Sequence, residues 1–188
     1  MLQAISNRRA YRALSEEPIE KSVLLRLIEA AQTAPSGANN QPWRFITITD
    51  PAQLEAVKST LSRGNYWAKK APAIIAVVTN NEWGLKLDER LYAPFDVGMA
   101  TMALQIQAVS EGLYVHPIAG FKAQDAKAVL EIPQEDSLLV LLILGYPGSD
   151  EHLTDVHLQS EHGTRVRLPL ESIHSFDNWS GTLTPKAV

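Results

Sequence analysis

The chain is 188 residues long, 45% hydrophobic and 20% charged, with no cysteine and a formal net charge of −4. That length suits a single domain over residues 1–188, large enough to bury a core without a covalent staple. The lack of cysteine excludes disulfides, thiolate metal sites and thiol redox chemistry, and the acidic balance argues against a nucleic-acid partner. In chain order, Met1–Ser15 carries Arg8, Arg9 and Arg12 without an acid, beside a short helix. Lys21–Thr33 predicts a helix, because Leu24, Ile28 and Ala31 share one face and Pro35 follows its end. Arg44–Thr49 predicts a strand from its β-branched and aromatic residues, and Pro51–Leu61 a helix opened by proline. Ala73–Thr79 and Leu138–Leu144 are continuous apolar runs, as in strands buried on both faces. Between them, Phe95–Glu111 is apolar nearly all round, so it must lie inside the domain or between two chains. Its alanines and Gly98 favour a homodimer. The final stretch, Tyr146–Val188, is broken by Pro147, Pro169 and Pro185 and reads as an arm packed on a neighbour. The class is α+β. No segment is long and apolar enough to span a bilayer, and a cytoplasmic location is expected.

The familiar nucleotide motifs are missing: there is no G-x-G-x-x-G and no G-K-[ST]. His152, His157 and His162 recur every five residues, which spreads them over different helix faces, and Glu171 with His174 forms a single E-x-x-H. Neither pattern makes a metal site. Ser36 lies in Pro-Ser-Gly, the setting of a turn rather than a nucleophile elbow. Arginine is what stands out. Arg8, Arg9 and Arg12 near the start and Arg165 and Arg167 near the end make two basic clusters, and guanidinium forks suit a phosphomonoester. A solvated basic surface is the plainer reading of the same charges. The loop Ala34–Trp43 is dense in Ser, Gly, Asn and Gln and offers amides to a polar ligand. His116–Phe121 carries small residues against which a planar ligand could lie.

Taken together, these segments resemble the nitroreductase family of FMN-dependent oxidoreductases. The carrying motifs are Arg8-Arg9-x-x-Arg12, Ala34-Pro35-Ser36-x-x-Asn39-x-Gln41-Pro42-Trp43, Pro117-Ile118-x-Gly120, and the pair Arg165 and Arg167 before Pro169. The resemblance runs from Ile5 to Pro169 and implies a central mixed or antiparallel sheet flanked by helices. It also implies a long buried dimer-interface helix and an extended C-terminal arm. FMN would sit at the interface of a homodimer. Arg8, Arg9, Arg165 and Arg167 would hold its phosphate, with Ala10 alongside and Arg12 near the pyrimidine edge. Pro35, Ser36, Gly37 and Asn39 would come from the other subunit, and Asn65 would bond the ring. Pro117, Ile118, Ala119 and Gly120 would lie against it. Ala10 replaces a common serine, and Ala119 a common glutamate. The implied reaction is ping-pong hydride transfer from NADH or NADPH through flavin N5 to a nitroaromatic, quinone or enone, with no catalytic side chain. Arg44, Tyr66, Trp67 and Tyr92 are candidates for the acceptor pocket. The alternatives are reductive dehalogenation, flavin cleavage, or an FMN- or anion-binding protein without turnover.

Overall fold

The structure is a computed structural model describing residues 1–183. The last five residues, Pro185 among them, lie outside the described part. The elements run α1 (Gln3–Asn7), α2 (Lys21–Gln32), β1 (Arg44–Ile48), α3 (Pro51–Lys58) and β2 (Ala73–Thr79), with a 3-10 segment, Arg63–Lys70, before β2. A two-residue hairpin, β3 (Lys86–Leu87) and β4 (Arg90–Leu91), precedes α4 (Ala93–Ser110). Then come β5 (Tyr114–Ile118), α5 (Ala123–Val129), β6 (Ser137–Gly145) and α6 (Asp155–His162).

Four strands form one sheet in the order β1-β2-β6-β5, and every ladder in it is antiparallel. The sheet is therefore not mixed. The unbroken apolar runs of β2 and β6 reflect helices on both faces rather than parallel pairing. Side chains alternate along β2: Ile74, Ala76 and Val78 join α3, α5 and Trp67 on one face, while Ala73, Ile75 and Val77 join α2 and α4 on the other. Pro117 lies within β5, an edge strand, where its missing N–H breaks no ladder. The His116–Ile118 segment is thus strand, and Ala119 and Gly120 follow its end.

Local chemistry fixes the ends of the helices. Asp50 caps α3, its side chain accepting from Gln53 N–H at 2.9 Å, with Pro51 in the first turn. The helix stops at Lys58, short of the expected Leu61. Gly112, at φ +78°, ends α4, with Leu113 N–H on Ala108 O at 2.9 Å and Gly112 N–H on Val109 O at 3.2 Å. That is a Schellman closure. In one chain α4 is not covered all round. Ala93, Val97, Ala100, Leu104 and Ala108 are buried, whereas Phe95 is 64% and Met102 38% exposed. Gly98 is exposed as well, and Met99, Ile106 and Val109 are only half-buried, which completes an apolar stripe at helical spacing.

The stretch expected to be a featureless arm contains α6, which returns to the N-terminus. Beyond it, Val166, Leu168, Leu170, Ile173, Phe176 and Trp179 are exposed. The N-terminal strand of chain is stitched to the residues after β6: Ser15 N–H donates to Tyr146 O at 2.8 Å and Gly148 N–H to Ala13 O at 2.9 Å. Among the described residues, no helix is long and apolar enough to cross a membrane.

Candidate functional site

The two arginine clusters, about 150 residues apart in sequence, meet in space. Arg8, Arg9, Ala10 and Arg12 line a cleft of about 320 Å³ with Arg165 and Arg167. Two of these guanidiniums interlock the segments. Arg9 donates to the carbonyls of Ser160 and Gly163 at 3.1 and 2.8 Å, capping the C-terminal end of α6. Arg165 donates to Ser6 O at 2.9 Å and Arg8 O at 2.6 Å, capping α1 in return. Arg9 also lies over the Tyr11 ring, which stacks on Tyr114 at 4.2 Å. Its fork is therefore largely committed to structure. Among the described residues, Arg167 reaches only its neighbour's carbonyl, Val166 O, at 2.7 Å.

Among the described residues, the Arg8 and Arg12 side chains have no hydrogen-bond partner, and none of the five arginines is paired with an acid. Burial, and behind it the charges of Arg165 and Arg167, pulls the Arg8 guanidinium below its ordinary range. Cations held together without a carboxylate are arranged for an anion that they do not contain themselves. The Arg12 guanidinium lies 5.9 Å from the Trp67 ring. Trp67 is 1% exposed, packs on His116 at 4.6 Å, and has a buried Nε1 without a partner among the described residues. Trp67 thus sits in the hydrophobic core, packed on His116. Tyr66 is likewise engaged, its hydroxyl accepting from Thr154 N–H at 2.8 Å and lying 3.1 Å from His157 Nδ1.

Asn65 and Gly120 come together. Asn65 Nδ2 donates to Gly120 O at 2.8 Å, and a Cβ on Gly120 would lie 2.7 Å from that same nitrogen. A side chain at this position would push the Asn65 amide off the Gly120 carbonyl. Pro117 and Ile118 end β5, and Ala119 follows; the preceding strand residue, His116, bonds the Tyr11 carbonyl just before Arg12. His116 Nδ1 lies 3.1 Å from Tyr11 O, which makes Nδ1 the protonated nitrogen. Burial first, then the Arg12 charge, lowers the His116 pKa to about 4.

The Pro35–Asn39 loop lies elsewhere. Gly37 N–H donates to Asp96 Oδ2 at 3.0 Å, and Asp96, 2% exposed, sits in the first turn of α4. Ser36 Oγ accepts from Gln41 N–H at 3.0 Å. Ala38, Asn39 and Gln41 all have φ between 51 and 57°, a left-handed conformation that costs about 1–2 kcal/mol per residue. Strain of this kind is typical of ligand loops. Arg44 lies 4.9 Å from the Trp83 ring, and Arg90 5.9 Å from that of Tyr92. Arg44 and Tyr92 therefore belong with this loop at the N-terminal end of α4. Arg12, Tyr66 and Trp67 form the other group.

Sequence reasoning missed Asp96 and Glu161, the two buried carboxylates that hold these segments. Neither carries a local motif; the only available signal for Asp96 was an acid in the first turn of a helix.

The Nitroreductase family model matches residues 5–63 and 61–146. The NADH dehydrogenase of Thermus thermophilus is 25% identical over 202 residues, covering 90% of this chain and 92% of its own. An iodotyrosine deiodinase of Nematostella vectensis is 25% identical over 201 residues, covering 91% of this chain and 72% of its own. The crystal structure of an oxidoreductase containing FMN superposes with a TM-score of 0.86 at 27% identity, over 96% of this chain and 93% of that one.

Proposed function

Since the chain belongs to the nitroreductase family, we propose that it is an FMN-dependent oxidoreductase. As a single domain, paired as a homodimer, it passes a hydride from NADH or NADPH to a small nitroaromatic, quinone or enone. The observation that carries this reading is the cleft of five arginines without an acidic partner among the described residues. Such a set fits the phosphomonoester end of FMN. The backbone at Pro117–Gly120, kept bare by Ala119 and Gly120, fits the flat face of its ring.

When bound, FMN would supply the hydride chemistry, at N5 and in alternate half-reactions. The chain's own residues would bind and orient it. Arg8 and Arg167 would hold the phosphate, while Arg9 and Arg165 lock the two segments together and add charge. Arg12 would place a positive charge beside the ring. No side-chain acid or base is assigned a step.

The homodimer is supported by the position of the two half-sites. Asp96 holds the Ser36–Gly37 loop at one end of α4, and the Arg9 segment lies by Val109 at the other. Those ends are about 20 Å apart along the helix, too far for one flavin ring to touch both in one chain. A twofold axis across the exposed Phe95–Met102 face would set two copies of α4 antiparallel. Each loop would then meet the partner's arginines. The exposed apolar residues of the C-terminal arm call for the same cover.

The test is direct. Purified protein should be yellow, should bleach with NADH or NADPH, and should recover colour with an acceptor. Replacing Arg8 and Arg167 together by alanine should weaken FMN binding at least tenfold while leaving the dimer intact; undiminished binding would refute the phosphate assignment. Similarity to an iodotyrosine deiodinase favours a second reading, reductive dehalogenation. Release of iodide from an iodophenol by the reduced protein would select it, and inertness would exclude it.

A further inference from the structure

Glu161 is 5% exposed, yet among the described residues it forms no ion pair, although the arginine cleft adjoins it. Its carboxylate is spent on the main chain instead. Oε1 and Oε2 accept the Arg12 N–H at 3.0 and 2.9 Å, and Oε1 also accepts the Ala13 N–H at 2.9 Å. On the preceding residue, the Tyr11 carbonyl is held by His116 Nδ1 at 3.1 Å. The Arg9 side chain is bound by the same last turn of α6, through Ser160 O and Gly163 O. A carboxylate paired with a guanidinium would cancel one cation of the anion site. One that binds main-chain N–H groups fixes the segment and leaves its guanidiniums without an acidic partner.

We infer that Glu161 is a positioning residue of the flavin site: its buried carboxylate clamps the Arg12–Ala13 backbone and thereby aims the Arg12 side chain. The inference rests on the FMN reading above. Glutamine at this position keeps the shape but has one acceptor oxygen, and its NH2 group would face a main-chain donor. Its oxygen in the Oε1 place would still accept both N–H groups, but the NH2 would oppose the Arg12 N–H at the Oε2 position, so the clamp is weakened without a cavity.

Two measurements test this, and the first needs no flavin. In the protein before FMN is added, Glu161→Gln should speed exchange of the Arg12 and Ala13 amides at least tenfold while the β2 amides stay protected. Unchanged exchange overturns the clamp. If Glu161→Gln unfolds the chain, Glu161→Asp, one methylene short, serves in its place. The second measurement is the reduction potential of bound FMN. Displaced Arg12 should weaken reduced over oxidised FMN tenfold, a fall of about 30 mV for a two-electron couple. Loss of the Glu161 charge alone would raise the potential, so an upward shift overturns the inference. In an Arg12→Ala background the substitution should no longer lower the potential, and an equal fall in both backgrounds refutes action through Arg12. Wild-type protein that takes up no FMN refutes the flavin reading itself, an outcome told apart by the amide exchange.

Discussion

Replacing Gly148 by alanine tests whether main-chain pairing holds the arginine segment in place. An added Cβ would lie 2.4 Å from the Leu14 carbonyl carbon and the Ser15 nitrogen, and 2.6 Å from Leu14 O. All three atoms are backbone, and the gap is about 1 Å short of ordinary contact, so the two chain segments must part. They are joined by Ser15 N–H to Tyr146 O at 2.8 Å and Gly148 N–H to Ala13 O at 2.9 Å. Overpacking costs about 1–3 kcal/mol, and each weakened hydrogen bond about 1 kcal/mol. The sum is roughly 3–5 kcal/mol. At about 2–4 °C per kcal/mol for a chain of this length, Tm should fall by roughly 6–20 °C. Scanning calorimetry of the FMN-free protein measures it. FMN affinity should fall as well, because Ala13 is the next residue after Arg12. A Tm within about 2 °C of wild type, with FMN binding intact, would refute the reasoning.

Met102→Asp puts a charge on the exposed face of α4 and should give monomers by light scattering, with loss of bound FMN; a yellow dimer would count against that face as the interface. Arg26 donates to Glu111 through Nε at 2.7 Å and Nη2 at 2.9 Å. Those bonds, with a further one from Gln107, hold the Glu111 pKa down to about 2. The stabilisation is present above the unfolded value of 4.5 and is lost as pH falls towards 2. Glu111→Gln should therefore flatten the dependence of stability on pH in that window, read by urea unfolding, and an unaltered slope would exclude the pair as its source. His116 behaves in the opposite sense to a paired histidine. The unfolded chain takes its proton near 6.5 while the folded chain stays neutral down to about 4, so stability should fall as pH drops between those values. The loss reaches roughly 3 kcal/mol at the bottom of the window. His116→Gln should remove it, and a slope that persists would refute the assignment.

Periodicity was sufficient for elements whose burial repeats locally. β2 begins and ends where its apolar run does, and α2 occupies the stretch before Pro35. It failed for α6, whose eight residues include only one buried side chain, Glu161. A helix held by hydrogen bonds to a distant segment leaves no apolar stripe to read. The same cause hid much of the site. The arginines were legible because charge is a local property. Their holders were not: Glu161 meets Ala13 across 148 residues of sequence. Trp67 shows the converse: an aromatic beside a polar motif suggests a pocket wall, and its burial in the core is set by packing that local sequence does not display.

Asp96 and Glu161 share a device that explains why the candidate site has no free acid. Each is buried, each lacks an ion pair among the described residues, and each accepts from the backbone of a segment that carries the resemblance. Asp96 is eased by the N-terminal turn of α4, and Glu161 by three main-chain hydrogen bonds. Negative charge is used to fix main chain where it does not neutralise the guanidiniums beside it. A site built this way keeps its cations for an incoming anion.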